Sequence, residues 1–169
     1  MERGLVLKRR IRVLLAIVMA GLLLSGVTAF PLEWELELLT RLLGVPRGAC
    51  PDNYSGIVGW LAEVREGLQE TYYRYPWMAY GTDWLAFAHI ILAVLFVGPW
   101  VDPVRNLWVI HFGLIASALV IPLAMVCGPI RGIPFYWRLI DCSFGVLAFV
   151  PLWFARRFTL ELSVPGPNT

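Results

Sequence analysis

Long stretches without a charged residue constrain this chain more than any other feature. Residues 13–32, 84–101 and 106–130 contain no Asp, Glu, Lys or Arg. A helix rises about 1.5 Å per residue, and a bilayer has about 30 Å of hydrocarbon, so a span needs roughly 20 residues, with a range of about 17–25. The sequence therefore predicts a membrane-spanning helix in each of these three stretches.

A fourth span is predicted near the C-terminus, where the uncharged stretch is shorter. Only 14 residues separate Asp141 from Arg156, and they form about 21 Å of helix. Extension of the helix forwards would immerse Arg156 and Arg157, although their head groups could reach the interface. Extension back to Pro134, which suits a first helical turn, immerses Arg138 and Asp141 instead. We favour the extension back to Pro134, which places the Asp141 carboxylate inside the bilayer.

The four spans are expected at about residues 12–31, 83–101, 103–127 and 134–155 of a single membrane domain, residues 1–169. Local signals mark two of the starts. Thr82 and Asp83 are candidate N-caps for the second span, and Asp102 followed by Pro103 is a candidate cap and first position for the third.

Composition supports an integral membrane protein. Hydrophobic residues make up 59% of the chain and charged residues 15%, with a mean hydropathy of +0.69. A soluble domain has about a quarter charged residues, so this chain has too little polar surface for one. The net charge of +2 gives no signal for nucleic acid.

Residues 32–80 are expected outside the bilayer as two amphipathic helices. In the first helix, leucines at 32, 36, 39 and 43 form one face, and Glu33, Glu37 and Arg41 form the opposite stripe. In the second, an apolar face runs from Ile57 to Tyr75. Lipid-surface helices are usually basic and these two carry six glutamates, so a lid or a partner-binding face is favoured over a helix on lipid. The predicted fold is an all-α, four-helix integral membrane bundle with two extracytoplasmic amphipathic helices.

The placement of lysine and arginine favours cytoplasmic N- and C-termini. With that orientation eight basic residues lie inside, close to the spans, and six lie outside, four of them in a long acidic segment. The inner residues are Arg3, Lys8, Arg9, Arg10, Arg12, Arg105, Arg156 and Arg157; the outer ones are Arg41, Arg47, Arg65, Arg74, Arg131 and Arg138. The alternative for the N-terminus is a cleaved signal peptide with residues 27–29 as the cleavage site.

Ionisable residues within spans are costly, and so they are the best candidates for a functional site. His89 and Asp141 both lie seven residues from the outer ends of their spans, about 10 Å deep, which would allow acid/base chemistry between them. Arg131, Arg138 and Asp83 are candidate ligand-binding residues near the same outer mouth. Arg138 and Asp141 are also three positions apart and could pair along the helix.

A structural alternative accounts for the same charged residues. Arg138, Arg131, Asp141 and Asp83 could form an ion-pair network that joins the second and fourth spans, with His89 as an interhelical hydrogen-bonding group. In that case the residues would stabilise the bundle and carry no chemistry.

Metal and cofactor signals are weak. The chain has three cysteines, Cys50, Cys127 and Cys142, with no C-x-x-C and no Cys/His cluster at ligand spacing, so no metal site and no cofactor is predicted. A disulfide from Cys50 to either of the other two stays open. His111 could join His89 as a haem ligand, but the two differ by about 8 Å in depth.

Three segments of the C-terminal half, DPVRNLW at residues 102–108, GPIRGIP at 128–134 and WRLIDCSFG at 137–145, resemble uncharacterised bacterial multi-pass membrane proteins. The resemblance implies a bacterial inner, or plasma, membrane location and implies no activity.

These features lead to three functional hypotheses. The first is a membrane accessory or binding protein with an outward-facing buried polar site for a small anionic ligand, a lipid headgroup or a partner helix. The second is an enzyme that acts on a lipid or quinone from the outer face with a His89/Asp141 pair. The third is a transporter subunit. This hypothesis is less favourable, because the four spans show no inverted repeat. Expected partners are the lipid bilayer and a membrane protein or a second copy, with no nucleic acid.

The depth difference between His89 and His111 predicts that the protein does not bind haem through these two histidines. The purified protein should show no Soret absorption band, before or after incubation with haem. A Soret band that disappears in both His89→Ala and His111→Ala would contradict the depth argument.

Overall fold

The computed structural model describes residues 2–164. Within them the chain is almost entirely helical, with no strand. The α-helices are α1 (Glu2–Ala29), α2 (Leu32–Leu42), α3 (Gly56–Arg74), α4 (Ala79–Leu95), α5 (Val97–Val101), α6 (Leu107–Ile130) and α7 (Phe135–Ser163). Two short 3₁₀ helices, Pro51–Asn53 and Pro76–Met78, precede α3 and α4.

Four helical segments are long and apolar enough to cross a membrane. They are Glu2–Ala29, Pro76–Val101, Leu107–Ile130 and Phe135–Ser163. In the most apolar window of each, 22% of residues are buried by the rest of the protein. The remaining surface is apolar, and such a large apolar surface needs lipid or protein to cover it. The structure therefore confirms the prediction of an all-helical chain with four helices that are long and apolar enough to span a membrane, as expected of a multi-pass membrane protein.

The fourth spanning helix is longer than the sequence predicted. Pro134 lies at its N-cap position, as the backward extension requires, but α7 also continues forwards through Arg156 and Arg157 to Ser163. Its 29 residues measure about 43 Å. This length exceeds the hydrocarbon thickness of about 30 Å. The helix can therefore cross the bilayer without immersing both its N-terminal charges, Arg138 and Asp141, and its C-terminal arginines at 156 and 157. The depth of Asp141 in a membrane stays a prediction.

Both predicted helix starts are wrong. The helix α4 begins at Ala79, so Thr82 and Asp83 lie within its first turn or just after it. The helix α6 begins at Leu107, and Asp102 instead accepts a 3.1 Å hydrogen bond from the Arg105 backbone N–H. Asn106 donates through Nδ2 to the carbonyl of Gly98 at 3.2 Å, which satisfies a carbonyl at the end of α5. The polar residues of this loop thus close the turn between α5 and α6.

Contacts divide the chain into two compact units. The internal unit is Leu23–Ile90. The terminal unit comprises the described parts of Met1–Leu22 and Ile91–Thr169, so α1 and α4 each contribute to both units.

The core of the terminal unit is apolar and comes from α1, α6, α7 and the residue that follows α4. Ile11 and Leu15 of α1 are fully buried, as is Ile110 of α6. The complete cluster is Ile11, Leu15, Val18, Phe96, Ile110, Leu114, Leu152 and Ala155. Because these residues repeat every three or four positions, one stripe of each long helix faces this core while the other stripes remain on the surface.

Three glycines allow α6 and α7 to approach closely. A Cβ atom at Gly145 would lie 2.6 Å from the backbone oxygen of Ser117, and one at Gly113 would lie 2.9 Å from a methyl group of Leu152. A Cβ at Gly128 would collide with the Arg138 side chain. The turn between the helices ends α6 with a Schellman motif: Ile133 N–H donates to the Gly128 carbonyl at 2.9 Å, and Gly132 has a positive φ of 73°.

The contact of Gly145 with a backbone oxygen predicts that Gly145→Ala destabilises the protein. The new methyl group meets a backbone oxygen, which cannot move as a flexible side chain can, so we expect a loss of about 1–3 kcal/mol in the free energy of unfolding. The matched control is Gly21→Ala in α1, where nothing lies within 4 Å of the new Cβ; it should stay within about 1 kcal/mol of the unsubstituted protein. Thermal unfolding in detergent measures both. Equal stability of the two variants would show that α6 and α7 do not pack as described.

Candidate functional site

The five residues predicted for a polar site divide between the two units. Asp83 and His89 belong to α4 in the internal unit, and Arg131, Arg138 and Asp141 belong to the α6–α7 hairpin of the terminal unit. The pairing of His89 with Asp141 therefore stays a prediction. The environment of each residue within its own unit is described below.

His89 of α4 faces α1. A Cβ atom at Gly26 of α1 would lie 3.3 Å from the His89 Cβ and 2.8 Å from the Ala86 carbonyl oxygen, so the two helices are in close contact there. The ring nitrogen Nδ1 is 2.8 Å from the Leu85 carbonyl oxygen. A carbonyl can only accept, so Nδ1 carries the proton of this bond and Nε2 is the acceptor of the neutral ring.

Asp83 is half-buried and forms no hydrogen bond or ion pair with any described residue. Its neighbour Thr82 is the better connected of the two, because Thr82 Oγ1 donates to the Ala79 carbonyl at 2.7 Å and lies 2.9 Å from the Tyr72 hydroxyl. The contact joins α3 to α4. The polar side chain that organises the start of α4 is thus Thr82.

Arg138 packs along the α6–α7 contact. Its aliphatic stem lies over Gly128, and its guanidinium lies over the ring of Phe135 at 5.1 Å from the centroid. The Nε atom is buried and has no hydrogen-bond partner among the described residues. A buried guanidinium N–H without an acceptor costs free energy, so this atom is the clearest unsatisfied group of the hairpin.

The expected ion pair between Arg138 and Asp141 is not formed. No described ion pair involves either residue. Arg138 turns towards Phe135, at the start of α7, and Asp141 lies almost one turn further along the helix. Asp141 is half-buried and has no hydrogen bond to a described residue. Interhelical packing over Gly128 fixes the arginine rotamer, which explains why the spacing of three residues did not produce a pair.

Arg131 is exposed at the C-terminal end of α6. Its backbone N–H donates to the carbonyls of Cys127 and Gly128, both at 3.1 Å, and its side chain has no ion pair with any of residues 2–164. The Schellman turn fixes the backbone at this position. Both arginines of the hairpin thus present a guanidinium without an ionic partner near the same turn.

Sequence reasoning missed a buried ion cluster in the internal unit. Glu37 of α2 was placed on a solvent-facing stripe, but it is 6% exposed, and Arg65 of α3 is 3% exposed. Arg65 donates to Thr40 Oγ1 at 3.0 Å and to the Pro46 carbonyl at 3.3 Å, and its Nη1 lies 3.9 Å from Glu37 Oε2. Of the predicted polar stripe, Glu37 is buried, whereas Glu33 and Arg41 are exposed. Of the predicted leucine face, Leu36 is buried, whereas Leu39 and Leu43 are exposed.

Two further arginines converge on Glu37. Arg47 donates through Nε at 2.6 Å and Arg41 through Nη2 at 3.2 Å, both to Oε1. The hydrogen bond from Arg47 holds the pKa of the Glu37 carboxyl below its usual value of 4.5, against the opposing effect of burial, and Arg41 and the charge of Arg65 add to the lowering. Glu37 is therefore ionised at neutral pH and fixes α2 against α3.

A second missed contact joins α6 to α7 in the terminal unit. Arg156 Nε donates to His111 Nε2 at 2.8 Å, so the proton of a neutral His111 ring lies on Nδ1. Trp108 contacts the His111 ring edge-on, and Trp153 lies under the Arg156 guanidinium. Equal counting outward from the turn at Arg131–Pro134 pairs His111 with Phe154, two residues before Arg156, so it would have given the level of this contact and not its partner.

Among residues 2–164 no group of three or more His, Cys, Asp or Glu side chains is arranged to hold a metal ion. The cysteines at 50, 127 and 142 are free thiols. No protein-family model, curated protein or solved structure matches this chain. Function is inferred from the contacts of its own residues.

The ion cluster predicts that Glu37→Gln loosens the α2–α3 hairpin. Loss of the carboxylate leaves the buried Arg65 without a counter-charge, and one hydrogen bond to a charged group is worth about 1.5–3 kcal/mol. Hydrogen exchange of the α2 and α3 amides should therefore be roughly ten- to hundred-fold faster. The control, Glu33→Gln on the same helix, removes an exposed carboxylate and should change little. Similar exchange in both variants would contradict a stabilising role for Glu37.

The same carboxylate predicts a pH dependence. A group whose pKa is lowered on folding stabilises the folded state above its ordinary pKa, here 4.5, and this contribution is lost as the pH falls through the lowered value. Protection of α2 and α3, corrected for intrinsic exchange, should thus decrease below about pH 4.5 in the unsubstituted protein. In Glu37→Gln that part of the decrease should be absent.

Proposed function

We propose that this chain is a multi-pass membrane binding protein whose α6–α7 turn holds an anionic group, a phosphate or a carboxylate. The group would belong to a lipid headgroup or to a small ligand. The observation that carries the proposal is the buried Nε of Arg138, which has no acceptor among the described residues.

The chemistry of the turn supports this proposal. A guanidinium is a planar fork of donors that matches phosphate and carboxylate oxygens. Arg138 is held in place by Gly128 below it and by the Phe135 ring, so little conformational entropy is lost when it binds an anion. Arg131 stands on a backbone fixed by the Schellman turn, four residues before the start of α7. One half-buried and one exposed arginine at a single turn make a site that favours anions over neutral ligands.

We place this turn, together with α2 and α3, on the outer side of a bacterial inner membrane, with both termini in the cytoplasm. The excess of basic residues close to the inner ends of the spans supports this orientation. With this orientation, Asp83, His89 and Asp141 are expected towards the outer half of the protein.

Replacement of Arg138 tests the anion site. Arg138→Gln removes the charge and the Nε donor, so a bound anion should be retained about ten- to hundred-fold less well, the equivalent of one charge-assisted hydrogen bond. Native mass spectrometry after mild detergent extraction measures the bound mass. The control is Arg157→Gln near the other end of α7, where the arginine is 68% exposed and pairs with Glu161.

The outcomes distinguish the sources of the anion. Anionic phospholipid recovered with the unsubstituted protein, and lost in Arg138→Gln alone, identifies a headgroup; displacement by millimolar inorganic phosphate with no lipid identifies a small ligand. A stoichiometric protein in place of either would favour a partner helix. Equal retention of anions by the unsubstituted protein and by both variants would exclude Arg138 as the binding residue.

A further inference from the structure

The helix α2 has a wide apolar face that no described residue covers. Trp34, Leu38 and Leu42, spaced four residues apart, are 64%, 39% and 76% exposed, and Leu39 and Leu43 widen the face. At 100° per residue these five side chains lie within about half of the helix circumference. One acidic residue, Glu35, lies in this arc, and it occupies the first turn.

The opposite half of α2 contacts the rest of the internal unit through Leu36, Glu37 and Thr40, whereas Glu33 and Arg41 on the same half are exposed. Glu37 and Thr40 are buried there, bonded to arginines of α3 and of the loop after α2. Burial of the charged side and exposure of the apolar side is the reverse of what a helix facing water shows. The ion cluster thus fixes the roll of α2 about its axis so that the leucines and Trp34 point away from α3.

Chain connectivity fixes the level of α2 in a membrane. The spanning helix α1 ends at Ala29, and α2 begins at Leu32, after a two-residue turn. The charged residues of α1 end at Arg12, so a hydrocarbon layer of about 30 Å that begins at Val13 ends about 20 residues later, close to residue 32. The helix α2 therefore starts at the boundary between hydrocarbon and headgroups.

We propose that α2 lies along the membrane surface with Trp34, Leu38 and Leu42 inserted among lipid acyl chains. The occupant of the exposed face is the lipid of the leaflet in which α1 ends. A tryptophan is well suited to this depth, because its ring is apolar and its N–H reaches the headgroups. Of the three glutamates of α2, Glu37 is turned away from the lipid and paired with arginines, and Glu33 and Glu35 lie in the first turn, at the level of the headgroups.

Site-directed fluorescence tests the position of α2 in the full-length protein. The three free cysteines are replaced by serine, single cysteines are introduced as Leu38→Cys, Leu42→Cys and Glu33→Cys, and each is labelled with an environment-sensitive dye. Glu33 is the matched control, because it lies on the same helix about 140° from Leu38 and is exposed. The proteins are placed in phosphatidylcholine nanodiscs with and without lipids that carry a nitroxide near the top of the acyl chain.

Dyes at 38 and 42 should emit at shorter wavelength than the dye at 33 and should be quenched strongly by nitroxide lipid and weakly by aqueous iodide. The dye at 33 should show the opposite pattern. If iodide quenches all three positions equally, α2 stands in water and the proposal is wrong. If 38 and 42 are shielded from both quenchers, protein covers this face, either a second copy or another part of the chain, and the proposal is equally overturned.

Discussion

The close approach of α6 and α7 is the contact on which the terminal unit depends. Lipid gives little hydrophobic force between helices that are apolar all round, so the association of spans relies on tight packing and on interhelical hydrogen bonds. Tight packing comes from three glycines that lack the Cβ atom which would hold the two helices apart: Gly113, Gly128 and Gly145. The bond between Arg156 and His111 supplies the second. The same approach fixes the Arg138 side chain over Gly128, so helix packing and the proposed anion site have one structural cause.

The buried charges of this protein fall into two groups with different roles. Arg65 donates to Thr40 and to the Pro46 carbonyl within the internal unit. Three guanidinium groups balance the Glu37 carboxylate, although its Oε2 atom accepts no hydrogen bond from a described residue. Such a cluster specifies how two helices fit together. Arg138 has a buried donor with no acceptor, which suits a residue that binds something else. The two arginines are equally visible in the sequence, and it is the completeness of their hydrogen bonding that separates them.

Much of the fold could be predicted from the sequence, but the site could be predicted only in part. The four uncharged stretches led to the four spanning helices. The predicted caps failed because Asp102 and Asn106 close a turn with nearby backbone groups, and a cap motif in a sequence does not show which backbone groups compete for the side chain. The spacing of Arg138 and Asp141 suggested a pair that the interhelical contact over Gly128 prevents. Counting from the turn would have placed His111 at the level of Phe154, two residues before Arg156, because an antiparallel hairpin pairs residues at equal distances from its turn.

The sequence by itself determined that the chain has four membrane-spanning helices, because hydrocarbon excludes charge and helix length is proportional to residue number. Only the tertiary structure decided which faces of the helices are covered. The periodicity of α2 placed Glu37 on a charged stripe opposite a leucine face, whereas the arginines of α3 and of the intervening loop bury Glu37 and leave Leu39 exposed. A single carboxylate gains more from three converging guanidinium groups than from water, and those groups meet only when residues ten and 28 positions away along the chain fold against it.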